Sequence, residues 1–121
     1  MVTSPATPGA IGEDKERLAE RYLQAQGLRP ITRNHRCRFG ELDLVMRDGD
    51  CLVFVEVRYR RSTRFGSPEQ TVNYHKQRRL CAAASHYLQT YPSVLPCRFD
   101  VVAIGARDEI QWIKNAFSAP A

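Results

Sequence analysis

Residues 40–60 read GELDLVMRDGDCLVFVEVRYR, and this stretch decides the fold. Two runs rich in β-branched and aromatic residues flank Asp48-Gly49, a pair that favours a tight hairpin loop because both residues tolerate a positive φ. With the loop at these two residues, Arg47 lies opposite Asp50. The stretch therefore predicts two antiparallel strands. The second strand is apolar on both faces and is expected in the centre of a sheet.

Four charged side chains are predicted to share one face of this hairpin. Side chains alternate between faces with period two, so this pairing puts Glu41 opposite Glu56 and Asp43 opposite Phe54, with Arg58 one step further along. Three carboxylates beside an apolar strand are costly to crowd together unless a cation neutralises them. Carboxylate oxygens are hard ligands that suit Mg²⁺ or Mn²⁺. The sequence therefore predicts a divalent metal site here.

The charge of the chain indicates a polyanionic partner. A length of 121 residues with 43% apolar content allows one domain with one core. The net charge is +5, and 15 of the 18 basic residues are arginines, nine of them between Arg29 and Arg64. Arginine offers forked donors that match phosphate oxygens, so a polyanion such as nucleic acid is the expected partner. The alternative is ordinary surface charge that only keeps the protein soluble.

The cysteines and the hydropathy pattern indicate a soluble protein of the cytoplasm. The four cysteines lie far apart without a Cys-x-x-Cys pair, which argues against zinc and fits reduced thiols in a cytosol. The longest apolar run, Cys51 to Val57, is interrupted by Glu56 and is too short to span a bilayer, so no membrane partner is expected.

The remaining patterns predict an α/β domain. Residues 1–12 and 118–121 are interpreted as flexible tails around a single domain at 13–117. Apolar spacing predicts a helix over 13–26, a strand over 30–38, the hairpin, a helix beginning at Pro68 or Val72 and ending at Gln89, and strands over 98–104 and 110–114. The order αβββαββ indicates a central mixed β-sheet flanked by α-helices.

Several short motifs resemble a known family when they are taken in order. The chain resembles the YraN-like family of small uncharacterised proteins, which is related to archaeal Holliday junction resolvases, over about residues 13–104. The motifs are Glu16-x-x-Ala19-x-x-Tyr22-Leu23, Asn34-x-Arg36, Gly40-Glu41-x-Asp43-Leu44, Leu52-Val53-Phe54-Val55-Glu56-Val57, Phe65-Gly66, Lys76-x-x-Arg79-Leu80 and Arg98-Phe99-Asp100-Val101-Val102. The resemblance implies a restriction-endonuclease-like fold.

That fold implies a nuclease site. Such enzymes carry an acidic residue on one strand and Glu-x-Lys on the next, and here Asp43, Glu56 and Arg58 occupy those positions. A metal held by Asp43 and Glu56 polarises the scissile phosphate. By the same resemblance Glu16 completes the acidic cluster, with a solvated helix charge as the alternative. The implied function is an endonuclease acting on branched or structured DNA with little sequence preference, and a homodimer would supply two sites for symmetric cutting.

Arg58 is a departure from the family pattern. Arginine neutralises charge and holds a phosphate, but its pKa above about 12 prevents it from acting as a general base. Three alternatives stay open: the metal alone activates the water, Lys76 contributes, or catalysis is lost and a nucleic-acid-binding module remains. The alternative to a working site is that Arg58 is a structural partner that balances Glu56 and Glu41 without any ligand.

Further basic residues are candidates for phosphate contacts. They are Arg60, Arg61 and Arg64 in a loop beyond the hairpin, Lys76 and Arg79 on the second helix, and Arg36 before the hairpin. A solvated loop is the alternative for the first three. The segment from His35 to Arg38 is interpreted as a solvated basic strand end, and Asp100 as a solvent-facing residue of an edge strand.

Overall fold

The computed structural model describes residues 8–60 and 72–118. The protein folds as an α/β domain with two helices and five strands in the order predicted from the sequence. The elements are α1 (Pro8–Ala25), β1 (Arg29–Cys37), β2 (Gly40–Asp48), β3 (Cys51–Tyr59), α2 (Tyr74–Thr90), β4 (Cys97–Ile104) and β5 (Ile110–Phe117).

The strands form one mixed sheet in the order β1-β2-β3-β4-β5. Neighbouring strands are antiparallel except β3 and β4, which are parallel and are joined through α2. Each helix covers one face of the sheet. β3 lies in the centre as predicted: Leu52 and Phe54 pack in the cluster under α2, while Val53 and Val55 pack in the cluster under α1.

Helix α1 begins earlier than the sequence suggested. It starts at Pro8, so the assignment of residues 8–12 to a flexible tail is wrong; residues 1–7 lie outside the described part of the chain. Proline suits the first turn of a helix because an N–H at that position would have no partner within the helix, so its absence costs nothing. The helix ends at Ala25, and Gly27 follows with φ 102°, a left-handed conformation that glycine adopts without steric cost.

Helix α2 is fixed at its N-terminus by a side-chain cap. The Asn73 side chain accepts a hydrogen bond from the backbone N–H of Lys76 at 2.9 Å, which satisfies one of the free donors of the first turn. The helix buries Leu80, Ala83, Ala84 and Tyr87 against the sheet. Of the two helices described, neither combines the length and the apolar character needed to cross a membrane.

The hairpin register differs from the predicted one. Asp48 pairs with Cys51, so the loop residues are Gly49 and Asp50 rather than Asp48 and Gly49. Gly49 has φ 58°, which places glycine at the first loop position, where a type II′ turn requires it. The pairing predicted for Arg47 with Asp50 is therefore wrong. The observed pairing is shifted by two residues from the predicted one. Because this number is even, the shift by itself moves no side chain to the other face of the sheet.

Candidate functional site

β1 and β2 are distorted together at one rung of the sheet. Asn34 in β1 has φ 53°, a left-handed conformation that is uncommon outside glycine and that asparagine tolerates best. The residues on either side of it face opposite helices: Arg33 pairs with Glu20 of α1, while His35 lies 2.9 Å from His86 of α2. In a regular strand these two residues would share a face.

The facing residue of β2 is Asp43, and the alternation fails there too. Leu42 packs in the cluster under α2, whereas Leu44 packs in the cluster under α1. The regular pairing of β2 with β3 stops at Leu44 and Val55. The Asp43 carboxylate then accepts a hydrogen bond from the backbone N–H of Val57 at 2.8 Å, in place of a main-chain partner. The distortion thus aims this side chain at β3.

Three carboxylates converge at this rung, and we call them the acidic cluster: Glu16, Glu41 and Asp43. One oxygen of each lies within 4.8 Å of the others. Asn34 holds two of them, because its amide nitrogen, oriented towards the carboxylates, donates to Glu41 Oε1 and to Glu16 Oε2 at 2.9 Å each. α1, β1 and β2 each contribute to this arrangement.

Glu56 on β3 is the buried acid beside the cluster. Its side chain is 7% exposed, and its Oε1 lies 3.6 Å from Arg58 Nε and 3.7 Å from Lys76 Nζ of α2. Its Oε2 is buried and accepts no hydrogen bond from the described residues. Leaving a charged oxygen buried without a partner is costly, which makes this atom a candidate ligand.

Burial and mutual repulsion raise the pKa values of these acids. Burial, followed by the charge of Glu56, raises the pKa of Asp43 to about 7. Burial, followed by the charges of Asp43 and Glu41, raises the pKa of Glu16 to about 7. Burial also raises the pKa of Glu56, although Lys76 and Arg58 oppose the shift. Burial is the first cause of all three shifts, and neighbouring carboxylates add to it.

The residues fit a divalent cation. Carboxylate oxygens form the donor set, and hard cations such as Mg²⁺ and Mn²⁺ take oxygen ligands. Burial and the neighbouring carboxylates favour the neutral forms of Asp43 and Glu16 by raising their pKa values, and Glu56 Oε2 is a buried acceptor left unused. Strongly perturbed carboxylates grouped in this way are typical of functional sites.

The predicted site residues fall into two adjoining groups. Glu16, Glu41 and Asp43 form the acidic cluster, while Glu56 and Arg58 lie with Lys76 on the side of α2. The prediction of one regular face for the four hairpin residues is wrong, because the distortion at Asp43 breaks the alternation on which it relied.

The predicted phosphate-binding residues differ in their surroundings. Arg36 is 75% exposed with its Nε 3.4 Å from Glu41 Oε1, and Arg79 is exposed with its Nε 3.4 Å from the Phe39 carbonyl oxygen. Arg60 is half-buried at the end of β3. Arg61 and Arg64 lie outside the described residues.

Two interpretations of polar residues are wrong. His35 is half-buried against His86 rather than solvated at a strand end. Asp100 is fully buried, because β5 covers β4 and removes it from the sheet edge. Its carboxylate accepts hydrogen bonds from Trp112 Nε1 and from the backbone N–H of Asn115, both at 2.9 Å.

Asn34 is the site residue that sequence reasoning missed. It connects two carboxylates of the acidic cluster and takes the left-handed conformation, a role that strand alternation does not predict. A signal existed, since asparagine is depleted in strands and enriched where φ is positive. Its position between His35 and Arg33, inside a predicted strand, fits that signal.

Comparison with known proteins identifies the family. The family model described as "Uncharacterised protein family UPF0102" matches residues 15–104. A "UPF0102 protein" of Nitrosococcus oceani is 52% identical over 93% of this chain and 95% of its own length. Relatives under the same name in Methylobacillus flagellatus and Aeromonas hydrophila are 50% and 49% identical, covering 90% and 93% of this chain and 97% and 88% of their own. The chain therefore belongs to the UPF0102 family, the YraN-like family that its motifs resemble.

Proposed function

We propose that this protein is a metal-dependent endonuclease that cuts branched or structured DNA with little sequence preference. The observation that carries the proposal is the convergence of the acidic cluster beside the unsatisfied Glu56 Oε2. The order of acids along the hairpin, Asp43 on one strand and Glu56-x-Arg58 on the next, supports a restriction-endonuclease-like site and a relation to Holliday junction resolvases.

The ligands proposed for Mg²⁺ or Mn²⁺ are Asp43, Glu56 and Glu16, with Glu41 beside them. A bound divalent ion would supply Lewis-acid polarisation of the scissile phosphate. The protein's own contribution is to hold these acids in position. Asp43 is fixed by the Val57 N–H, and Glu16 is fixed by the Asn34 amide. Positioned carboxylates lose little entropy when a ligand binds.

We propose that Lys76 replaces the lysine of the Glu-x-Lys pattern, whose position Arg58 occupies in this chain. Its ammonium and the Arg58 guanidinium flank the same oxygen, Glu56 Oε1, at 3.7 and 3.6 Å. Lysine donates from a compact ammonium that orients a water or a phosphate oxygen, whereas arginine at position 58 neutralises charge and holds phosphate without acting as a base. One carboxylate thus orients two cations for a phosphate.

Cleavage assays test the proposal. Wild type incubated with Mn²⁺ or Mg²⁺ is expected to nick Holliday junctions, flaps or single strands, and Asp43→Asn and Glu56→Gln are expected to abolish nicking while DNA binding persists. Asp50→Asn is the matched control, because Asp50 is 96% exposed in the hairpin loop. Arg58→Lys is expected to raise the rate, and Lys76→Ala to lower it.

A binding module is the alternative function, and Arg58 is the observation that favours it. If wild type and Arg58→Lys both fail to cut junctions, flaps and single strands with either metal, the enzyme is ruled out. Salt-dependent DNA binding without turnover would then define a non-catalytic module, since phosphate contacts alone give affinity that falls with salt. A homodimer would supply two sites, and sedimentation measures that state directly.

A further inference from the structure

We propose that the surface beside the acidic cluster binds unpaired nucleotides and that Phe39 and Tyr74 stack on their bases. This rests on the proposed function only in taking nucleic acid as the partner. It deepens that function by naming the feature of the substrate that is recognised. We call the residues involved the stacking surface: Arg38, Phe39, Tyr74, His75, Arg78 and Arg79.

Phe39 lies in the turn between β1 and β2 with 49% of its surface exposed. The guanidinium carbon of Arg38 lies 5.4 Å from the centre of its ring. The half-exposed ring therefore presents an apolar face to solvent beside a basic side chain. A ring beside a guanidinium offers an apolar face for a base and a cation for the adjoining phosphate.

Tyr74 repeats the same combination on α2. It is the first residue of the helix and is 66% exposed, and the guanidinium carbon of Arg78 lies 5.9 Å from its ring centre. The two residues are four apart, so they lie on the same side of the helix. The Asn73 cap fixes the backbone directly before the ring.

Arg79 links the turn that carries Phe39 to α2, the helix that carries Tyr74. Its Nε lies 3.4 Å from the carbonyl oxygen of Phe39, so the turn rests on α2. The contact is close: a Cβ at Gly40 would lie 3.3 Å from the Arg79 carbonyl oxygen. Exposed His75 lies one turn before Arg79, between it and Tyr74.

The surface continues into the candidate active site. Lys76, in the same first turn of α2 as Tyr74 and His75, reaches Glu56 Oε1 at 3.7 Å. On the other side, Arg36 lies 3.4 Å from Glu41 of the acidic cluster. A strand held on the stacking surface therefore has basic side chains along the path that leads to the carboxylates.

This combination favours unpaired nucleotides over duplex. In a duplex each base is already stacked on its neighbours and presents only its edges, whereas an unpaired base offers its face to a ring. Stacking tolerates any base because each has a π face, so sequence preference should be weak. Flaps, single strands and the open centres of branched substrates all supply such nucleotides.

Fluorescence anisotropy tests the inference in EDTA, where metal and cleavage play no part. The probes are a labelled single-stranded oligonucleotide of mixed sequence and its perfect duplex. We expect the single strand to bind more tightly. Phe39→Ala and Tyr74→Ala should each weaken single-strand binding about 5-fold to about 100-fold, because one stacked base is lost. The salt dependence should stay unchanged in both, whereas Arg78→Ala should flatten it.

Conservative variants separate stacking from general packing. Tyr74→Phe is expected to bind the single strand like wild type, and Tyr74→Leu like Tyr74→Ala. Tyr91→Ala is the matched control, because Tyr91 is a 56% exposed tyrosine at the opposite end of α2 whose ring contacts Tyr87. It should bind like wild type.

Two results would overturn the inference: wild-type affinity in both alanine variants, or equal losses for single strand and duplex. Neither touches the proposed nuclease, because Glu56→Gln tests that separately through Mn²⁺-dependent cleavage. Conversely, stacking-dependent binding by a protein that never cuts DNA would support the stacking surface and remove the enzyme.

Discussion

Glu56 on β3 and Asp100 on β4 are buried acids one register step apart in the parallel strand pair. Asp100 is fully buried and its two oxygens receive bonds from Arg98, from the Trp112 indole and from the Asn115 backbone. Glu56 is almost as deeply buried, yet its Oε2 accepts no hydrogen bond from the described residues. The two acids face opposite sides of the sheet.

The difference separates a structural carboxylate from one that is available to a ligand. A buried acid whose oxygens both accept hydrogen bonds stabilises the folded state as long as every donor stays in place. An acid with an unused buried oxygen destabilises it, and proteins retain such groups mainly where function requires them. On this reasoning Asp100 holds β5 against β4, while the unused Oε2 of Glu56 supports the cation site that we propose.

Replacing each acid by its amide is expected to give the largest change in the free energy of unfolding, and the change should differ between the two acids. Asp100→Asn puts an NH₂ group among donors and deprives Arg98 of a partner, so the free energy of unfolding should fall by about 3 kcal/mol. Glu56→Gln removes a poorly neutralised charge and should be neutral or stabilising. Urea unfolding in EDTA measures both. Equal losses would abolish the distinction between the two acids.

Replacing Asn34 is expected to have an intermediate effect on stability, because its amide donates hydrogen bonds to two carboxylates of the acidic cluster. Asn34→Gly keeps the left-handed backbone and removes the two amide bonds, which should cost about 1 kcal/mol of stability. Asn34→Ala also places a Cβ in that conformation, at about 1 kcal/mol more. Equal stability of the two variants would show that the backbone conformation at φ 53° carries no cost.

The pH dependence of Glu16 should give the smallest effect, because its side chain is only partly buried and solvent screens its charge. Its folded pKa is about 7 against an ordinary 4.5, so between these values the folded state binds more protons than the unfolded one. The free energy of unfolding contributed by this group therefore falls as pH rises from about 4.5 to about 7. In EDTA, Glu16→Gln should show a shallower fall than wild type by urea unfolding at pH 5 to 8. Parallel curves of stability against pH for the two proteins would mean that folding does not raise the pKa of Glu16.

Much of the fold follows from local sequence patterns. The alternation of β3 and the spacing of α2 predicted a central strand and an amphipathic helix, because burial imposes period 2 on one and 3.6 on the other. The loop residues were misplaced since Asp48-Gly49-Asp50 supports two turns. Only the pairing of Asp48 with Cys51 in the folded hairpin distinguishes them.

The geometry of the site could not be predicted from the alternation of side chains along the strands. Asn34 and Asp43 lie at a rung where both strands change faces together, and a period-2 pattern assumes that no such change occurs. The contact of Lys76 with Glu56 joins α2 to β3 across 20 positions of sequence. The prediction for Asp100 is wrong because two of its donors, Trp112 and Asn115, come from β5, and Asn115 lies beyond the predicted end of that strand at residue 114.

The central claim is that Asp43 and Glu56 share a divalent cation. Crystals soaked in Mn²⁺ test it most directly, because the anomalous scattering of manganese locates the ion independently of any reaction. We expect one strong peak within coordination distance of an Asp43 oxygen and of Glu56 Oε2, lost in Glu56→Gln and retained in Asp50→Asn. Contradiction would come from an anomalous map without a peak between Asp43 and Glu56, at a Mn²⁺ concentration that labels other carboxylates on the surface.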